Sequence, residues 1–341
     1  MNILYIFKCL KNKIMKNIFI GIDVSNKTLD ICIKEGNNSS FCTIENSIPS
    51  CKNFFNAFKD RASFTYVAME NTGRYNYNLY EALEQFSFLV YVINPIHMKK
   101  SLGLVRGKND RIDAERIVYF VEKNHMDLPQ WQPNTLAIKK LKVLQSERKH
   151  RIKIKSALLK QQYDYKLMKS IKMDKELLKL NQSLLSNIDK QLKIIENKIE
   201  LIIQEDEKLQ DQSNRLQTIP GVGKVLTWMM ITKTQGFSTI NSPRKMACYA
   251  GVVPFDHQSG TSLRFKPKVS IFADKELKKI LHLAAMSAIR LDNELRLYYL
   301  RKVKEGKNKM SILNAVRNKI IHRIFALINN ETIYQKDFVV S

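Results

Sequence analysis

The chain has 341 residues, with 57 Lys plus Arg against 32 Asp plus Glu and a net charge of +25. That length suggests two or three domains with a real core, and the charge excess calls for a polyanion, most often nucleic acid, with a generally lysine-rich proteome as the plain alternative. Cys9, Cys32, Cys42, Cys51 and Cys248 form no C-x-x-C pair and the six histidines no zinc spacing, so a disulfide framework and a zinc site are excluded, and no apolar run reaches membrane-spanning length.

Residues 1–14 carry a short apolar patch interrupted by lysines, with no small-residue cleavage site after it. They read as an extension from an upstream start codon rather than a signal peptide, and the protein as cytoplasmic, nucleoid-associated when bound to DNA. From residue 15 to 130 strand-like and helix-like segments alternate. NIFIGIDVS, LDICIKE and SSFCTIEN read as three strands, and SCKNFFNAFKDR as a helix through Phe54, Phe55 and Phe58. FTYVAME is a short strand ending in Glu70, NYNLYEALEQF a helix, FLVYVIN a strand, and NDRIDAERIVYFVEKNH a helix capped by Asn109. This order implies a mixed sheet with helices on its faces.

Residues 134–219 contain no Gly and no Pro, so nothing breaks a helix there. Leu185, Ile188, Leu192, Ile195, Ile199 and Ile202 alternate spacings of three and four, with Leu178 and Leu209 in register and Asn181 and Asp206 as polar interruptions. That is a heptad seam, either within the chain or between two chains, and it places coiled-coil helices over 134–212. From Ala137 to Leu180 there are fourteen Lys or Arg against four acids. Arg148, Lys149 and Arg151 of this run are expected to contact phosphates; a solvated charge run is the bland alternative.

A third domain is expected over 213–330. LQTIPGVGKVLTWMMI resembles a helix-hairpin-helix turn, in which Gly221, Gly223 and Lys224 would hold a phosphate at a helix start. KMACYAGVVPFDHQSGTSLRFKPK reads as a loop holding Ser259, Arg264, Lys266 and Lys268, and two amphipathic helices follow, DKELKKILHLAAMSAIR and MSILNAVRNKIIHRIFALI.

The acids raise the functional question. Asp23 lies within an apolar strand, where an unpaired carboxylate is costly. Glu70 closes a neighbouring strand, and Asp110 and Asp113 share one helix face. Carboxylates from such elements can meet at one sheet edge, where a divalent ion relieves their repulsion and serves phosphodiester displacement. Singly, each has a bland reading: a turn cap for Asp23, an exposed strand end for Glu70, a partner of the helix dipole for Asp110. The element order, with acids at those points, resembles the ribonuclease H-like fold in its RuvC-type branch.

GIDVSNKTLDI, AMENTGRY, GKNDRIDAERI, LQTIPGVGKVLTWMMI and YAGVVPFDHQSG follow one another between about Lys16 and Leu327. Together they resemble the successive blocks of the DEDD/serine transposase family of insertion sequences, related to the Piv pilin-inverting recombinases. The resemblance implies an α/β RuvC-like domain, a coiled coil and a mostly helical serine transposase domain. It implies Mg²⁺ held by Asp23, Glu70, Asp110 and Asp113, and Ser259 as a nucleophile that forms a covalent phosphoserine. It also implies donor and target DNA as substrates, a structured non-coding bridge RNA as guide, and dimers that form a tetramer with composite sites. The segment FADKE lacks the glycine common in the family before the helix, which bears on the loop geometry there. Two other readings follow from the residues: a RuvC-like metal-dependent nuclease without serine chemistry, and a non-catalytic nucleic-acid-binding protein.

Overall fold

The computed structural model describes residues 16–101, 109–167, 174–259 and 263–335. The extension 1–14 lies outside the described residues. The chain divides into two compact units, Met1–Pro133 and Asn134–Ser341.

The first unit is built on strands β1 (Ile18–Val24), β2 (Thr28–Glu35), β3 (Asn38–Glu45), β4 (Thr65–Glu70) and β5 (Leu89–Ile93), in the order β3-β2-β1-β4-β5. β1 runs antiparallel to β2 and parallel to β4, and β4 runs parallel to β5. This mixed five-stranded sheet is compatible with the ribonuclease H-like expectation. β1 is central and covered on both faces, which is why IFIGIDV is apolar almost throughout. Ile18, Ile20, Ile22 and Val24 pack with Cys51 and Phe55 of α1 (Ile48–Asn56) and Leu79 and Leu83 of α2 (Tyr77–Leu83). On the other face Phe19 packs with Met98 of α3 (Pro95–Ser101) and with Ala114, Ile117 and Val121 of α4 (Asp110–Asn124).

The second unit begins with two long helices, α5 (Leu136–Leu167) and α6 (Asp174–Gln204). They lie antiparallel within the chain: Arg148 meets Glu196, Arg151 meets Gln191, Lys155 meets Asp189 and Gln162 meets Gln182. Of the expected seam, Leu185, Ile188 and Ile199 are buried, and Asn181, expected as an interruption, is buried with them. Ile203 is buried more deeply than its neighbour Ile202, because the base of α6 turns toward α8 (Lys224–Thr234). α8 is apolar on all sides: Trp228 and Ile231 face the helix pair, while Leu226, Met229 and Met230 enter the C-terminal core. That core is completed by α7 (Glu207–Gln217), α9 (Pro243–Tyr249), α10 (Lys275–Leu291), α11 (Asn293–Lys304) and α12 (Lys309–Asn329).

The short helices α3 and α9 were not expected from the sequence, and two larger features also differ from it. The serine-bearing stretch forms an antiparallel pair, β6 (Pro254–Ser259) with β7 (Leu263–Val269), rather than an irregular loop. Its Gly, Pro and Ser content hid a short alternation, Leu263-Phe265 against Arg264-Lys266, that suits a strand. Helix α11 was also not expected, since only Leu295 of it is buried and its apolar period is weak.

Candidate active site

One glycine determines where the acids meet. A β-carbon at Gly21 would sit 2.4 Å from the carbonyl oxygen of Ala114 and 2.7 Å from a Val118 methyl. Helix α4 therefore rests directly on the backbone of β1. Asp23 is two residues beyond Gly21 and on the same face of the strand. Asp113 and Asp110 occupy the first turn of the helix just before the contact, and Asn109 caps that turn by accepting a hydrogen bond from the Arg111 backbone N–H at 3.2 Å.

Glu70 arrives from the neighbouring strand. Ile22 of β1 is level with Met69 of β4, so the next residues along the two parallel strands are Asp23 and Glu70. The turn after Glu70 is held by Asn76, which is fully buried. Its Nδ2 donates to the Glu70 carbonyl at 3.0 Å, and its Oδ1 accepts from the Thr72 backbone N–H and hydroxyl, both at 2.8 Å.

The other three carboxyl groups act on Asp23. The Asp23 carboxyl is pushed up to about 6, first by burial and then by the charges of Asp113, Asp110 and Glu70, against a backbone hydrogen bond from Val24. Asp113 is ion-paired with Arg116 at 2.7 Å. Among the described residues no three His, Cys, Asp or Glu side chains are drawn close enough to enclose a metal ion. The donor chemistry nevertheless suits Mg²⁺, which takes one or two carboxylates and completes its shell with water and substrate phosphate oxygens.

Sequence reasoning missed Asp30. It lies directly across the β1–β2 pairing from Asp23 and accepts a hydrogen bond from the Thr43 hydroxyl at 2.6 Å. With Phe41, Thr43, Asn109, Asp110 and Arg111 it lines a pocket of about 420 Å³. The clue was the two-residue period of LDICI, which becomes informative only once the register with β1 is known. Gly21 and Asn76 were likewise unremarked as positioning residues.

In the second unit Ser259 is the last residue of β6, paired with Leu263, and Arg264, Lys266 and Lys268 occupy alternate positions of β7. The expected phosphate contacts have varied surroundings. Arg148 donates to Glu196 at 2.8 Å and lies over the Trp228 ring, Arg151 bonds Glu147 and Gln191, and Lys149 bonds Glu276 of α10 at 2.5 Å. These groups hold helices together as well as carrying charge. Arg148 and Lys149, with Lys153, Lys275 and Lys279, line a groove of about 410 Å³. Gly221 has φ +88, and a β-carbon there would meet the Ala284 carbonyl of α10 at 2.5 Å, so close helix approach accounts for this glycine. Gly223 caps α8 with open space around it, and Lys224 pairs with Glu200 at 3.2 Å.

Comparison with known proteins supplies two family profiles. Residues 20–167 match DEDD_Tnp_IS110, described as Transposase, and residues 213–300 match Transposase_20, the Transposase IS116/IS110/IS902 family. The matches support the IS110 family of transposases. The first transposase profile spans Asp23, Glu70, Asp110 and Asp113, and the second spans Ser259. The chain is also 25% identical over 333 residues to the pilin gene-inverting protein of Moraxella bovis, covering 94% of this chain and 99% of that one. It is 26% identical over 334 residues to the protein of the same name from Moraxella lacunata, with the same coverage. A shorter match, 26% over 120 residues, covers 35% of this chain and 29% of the insertion element IS110 uncharacterized 43.6 kDa protein of Streptomyces coelicolor. Together these relatives support DNA recombination by a mobile insertion sequence as the general activity. Among the described residues no helix is long and apolar enough to cross a membrane.

Proposed function

We propose that the protein is a transposase that cuts and rejoins donor and target DNA, with Ser259 as nucleophile and Asp23, Glu70, Asp110 and Asp113 as the holders of Mg²⁺. The observation that carries this reading is that acids from two other segments, Glu70 of β4 and Asp110 with Asp113 of α4, act on Asp23, whose carboxyl is pushed up to about 6 by burial and by those same neighbours. A protein does not crowd like charges on a half-buried strand without a compensating cation or proton. When bound, Mg²⁺ supplies electrostatic stabilisation of charge on the phosphoryl oxygens. The chain's own part is to hold that charge at the end of β1 and to deliver the hydroxyl to the same phosphorus.

In the chemistry proposed, Ser259 Oγ forms a bond to phosphorus as the bond to one nucleotide oxygen breaks, and the serine proton ends on the departing oxygen. The phosphoserine retains the ester, so a hydroxyl from another DNA end can reverse the step without ATP. The serine-bearing strand and its alternating Arg264, Lys266 and Lys268 suit a phosphate-rich substrate. The family resemblance adds a structured bridge RNA as guide, assembly through dimers to a tetramer, and action in the cytoplasm on the chromosome.

The test is a denaturing gel of the purified protein incubated with donor DNA and Mg²⁺. A covalent protein–DNA band is expected for the wild type, and none for Ser259→Ala. Cleavage by Ser259→Ala at the wild-type rate, with no adduct in either protein, would instead establish the metal-dependent nuclease. Unaltered reactions in Asp23→Asn and Glu70→Gln would remove the acids from the mechanism.

A further inference from the structure

The C-terminal core contains two arginines on α12 with opposite surroundings. Arg323 is neutralised by Asp292 at 2.5 Å and by Glu294. Arg317, less than two turns earlier, is 5% exposed. Its Nη1 donates to Asn314 Oδ1 at 3.2 Å, its Nη2 donates to His282 Nδ1 at 2.7 Å, and its Nε–H, also buried, has no acceptor. Among the described residues no acid lies within ion-pair reach of it. A buried guanidinium with neutral partners and an idle donor is an unpaired charge, which a fold tolerates poorly unless an anion arrives.

The neighbours deepen the imbalance. Lys278 and His282 are four apart on α10 and share a face. Burial and the Arg317 charge both depress their pKa values, and burial depresses that of Arg317 itself. The guanidinium can only donate, so His282 Nδ1 must accept, which leaves the ring proton on Nε2. The three side chains therefore offer donors alone: the Lys278 ammonium, the His282 Nε2–H and the Arg317 Nε–H. Donor-only, cationic and partly desolvated is the complement of a phosphate.

The cluster also has a place relative to the chemistry. Asn314, one turn before Arg317, donates to the Val252 carbonyl at 2.5 Å, which ties α12 to the chain just before β6. Val252 stands seven residues before Ser259. At about 3.3 Å per extended residue the serine lies within roughly 23 Å of Val252, close enough for both to act on one stretch of DNA backbone.

We infer that Lys278, His282 and Arg317 form a phosphate site that grips the DNA backbone beside the reacting position. The phosphate chemistry stands on the unpaired arginine; the assignment to DNA rests on the proposed transposase reading.

The experiment uses the full chain, with Lys278→Gln and His282→Gln as the main variants and Arg317→Gln beside them. Both main positions are only half-buried, so these variants fold even if Arg317→Gln does not. In the first arm inorganic phosphate is titrated and the melting temperature followed. Phosphate is expected to stabilise the wild type and to lose most of that effect in each variant; equal effects in wild type and variants overturn the site. In the second arm, binding of duplex DNA is measured against salt. Lys278→Gln is expected to weaken binding several-fold for any sequence and to reduce the slope of log K against log salt by about 1. An unchanged DNA slope, with the phosphate effect lost, overturns the DNA assignment in favour of a free anion, and a reduced slope for duplex RNA alone overturns it in favour of RNA. Neither arm involves strand joining. Loss of the slope unit in a protein that never forms a serine adduct would leave this site standing while the proposed chemistry failed.

Discussion

The two units treat charge in opposite ways. In the sheet unit, burial and the charges of carboxylates from β4 and α4 together push Asp23 of β1 up to about 6. In the helical unit, cations of the paired helices meet acids on the facing helix at two points among the described residues, Arg148 with Glu196 and Lys155 with Asp189. Arg317 of α12 differs: it is buried, and among the described residues no acid lies within ion-pair reach of it. Charge that is matched holds structure together; carboxylates crowded around Asp23 in one unit and a buried guanidinium in the other mark where ligands are expected. Each half of this contrast can be broken by substitution.

The largest effect is expected from Gly21→Ala. The new β-carbon meets a backbone oxygen that cannot rotate away, so α4 must lift from the sheet. Overpacking of this kind costs about 3 kcal/mol, to be read from urea unfolding, and the divalent-ion response should weaken with it. Unchanged stability would mean that α4 does not rest on β1.

Asp23→Asn comes next, and its sign is the reverse. The folded-state value of about 6 lies above the ordinary value of 3.8, so the folded protein binds this proton more tightly than the unfolded chain does. The corresponding stability is present below about pH 4 and is lost as pH rises through about 6. Removing the charge should therefore stabilise the metal-free protein at pH 7 by about 2 kcal/mol while abolishing recombination, and should flatten stability between pH 4 and 6. A destabilised Asp23→Asn with an unaltered pH profile would refute the crowding.

A smaller gain is expected from Asn181→Leu. Asn181 is buried between α5 and α6, and its Oδ1 has no partner. Leucine should stabilise by about 1 kcal/mol in thermal unfolding and should loosen the single register between the helices. The smallest effect belongs to Lys155→Ala, which removes a half-exposed pair with Asp189 and should change stability by about 0.5 kcal/mol or less. A large loss there would show that matched charge matters more than this comparison allows.

Much of the sheet unit was legible because its signals are local. The continuous apolar run of β1 and the Asn109 cap each act within a few residues. The four acids were proposed from their places at element ends, and the charges of the other three act on Asp23. Asp30 was not found, because its nearness to Asp23 depends on a strand register that no single segment encodes. Gly221 was read as a phosphate cradle, whereas its left-handed backbone and the adjacent Ala284 and Ala288 give it a packing reason visible only once α10 is in place. The β6–β7 pair was hidden by turn-rich composition, and the solitude of Arg317 was hidden because a sequence shows charges but not which of them lack partners.

The most direct measurement is Mn²⁺ binding to the purified protein, followed by electron paramagnetic resonance, in the wild type, Asp23→Asn and Glu70→Gln. Saturable binding in the wild type that falls at least tenfold in both variants is the predicted result. Equal binding in all three proteins, or none in the wild type, would contradict a cation site built from these carboxylates.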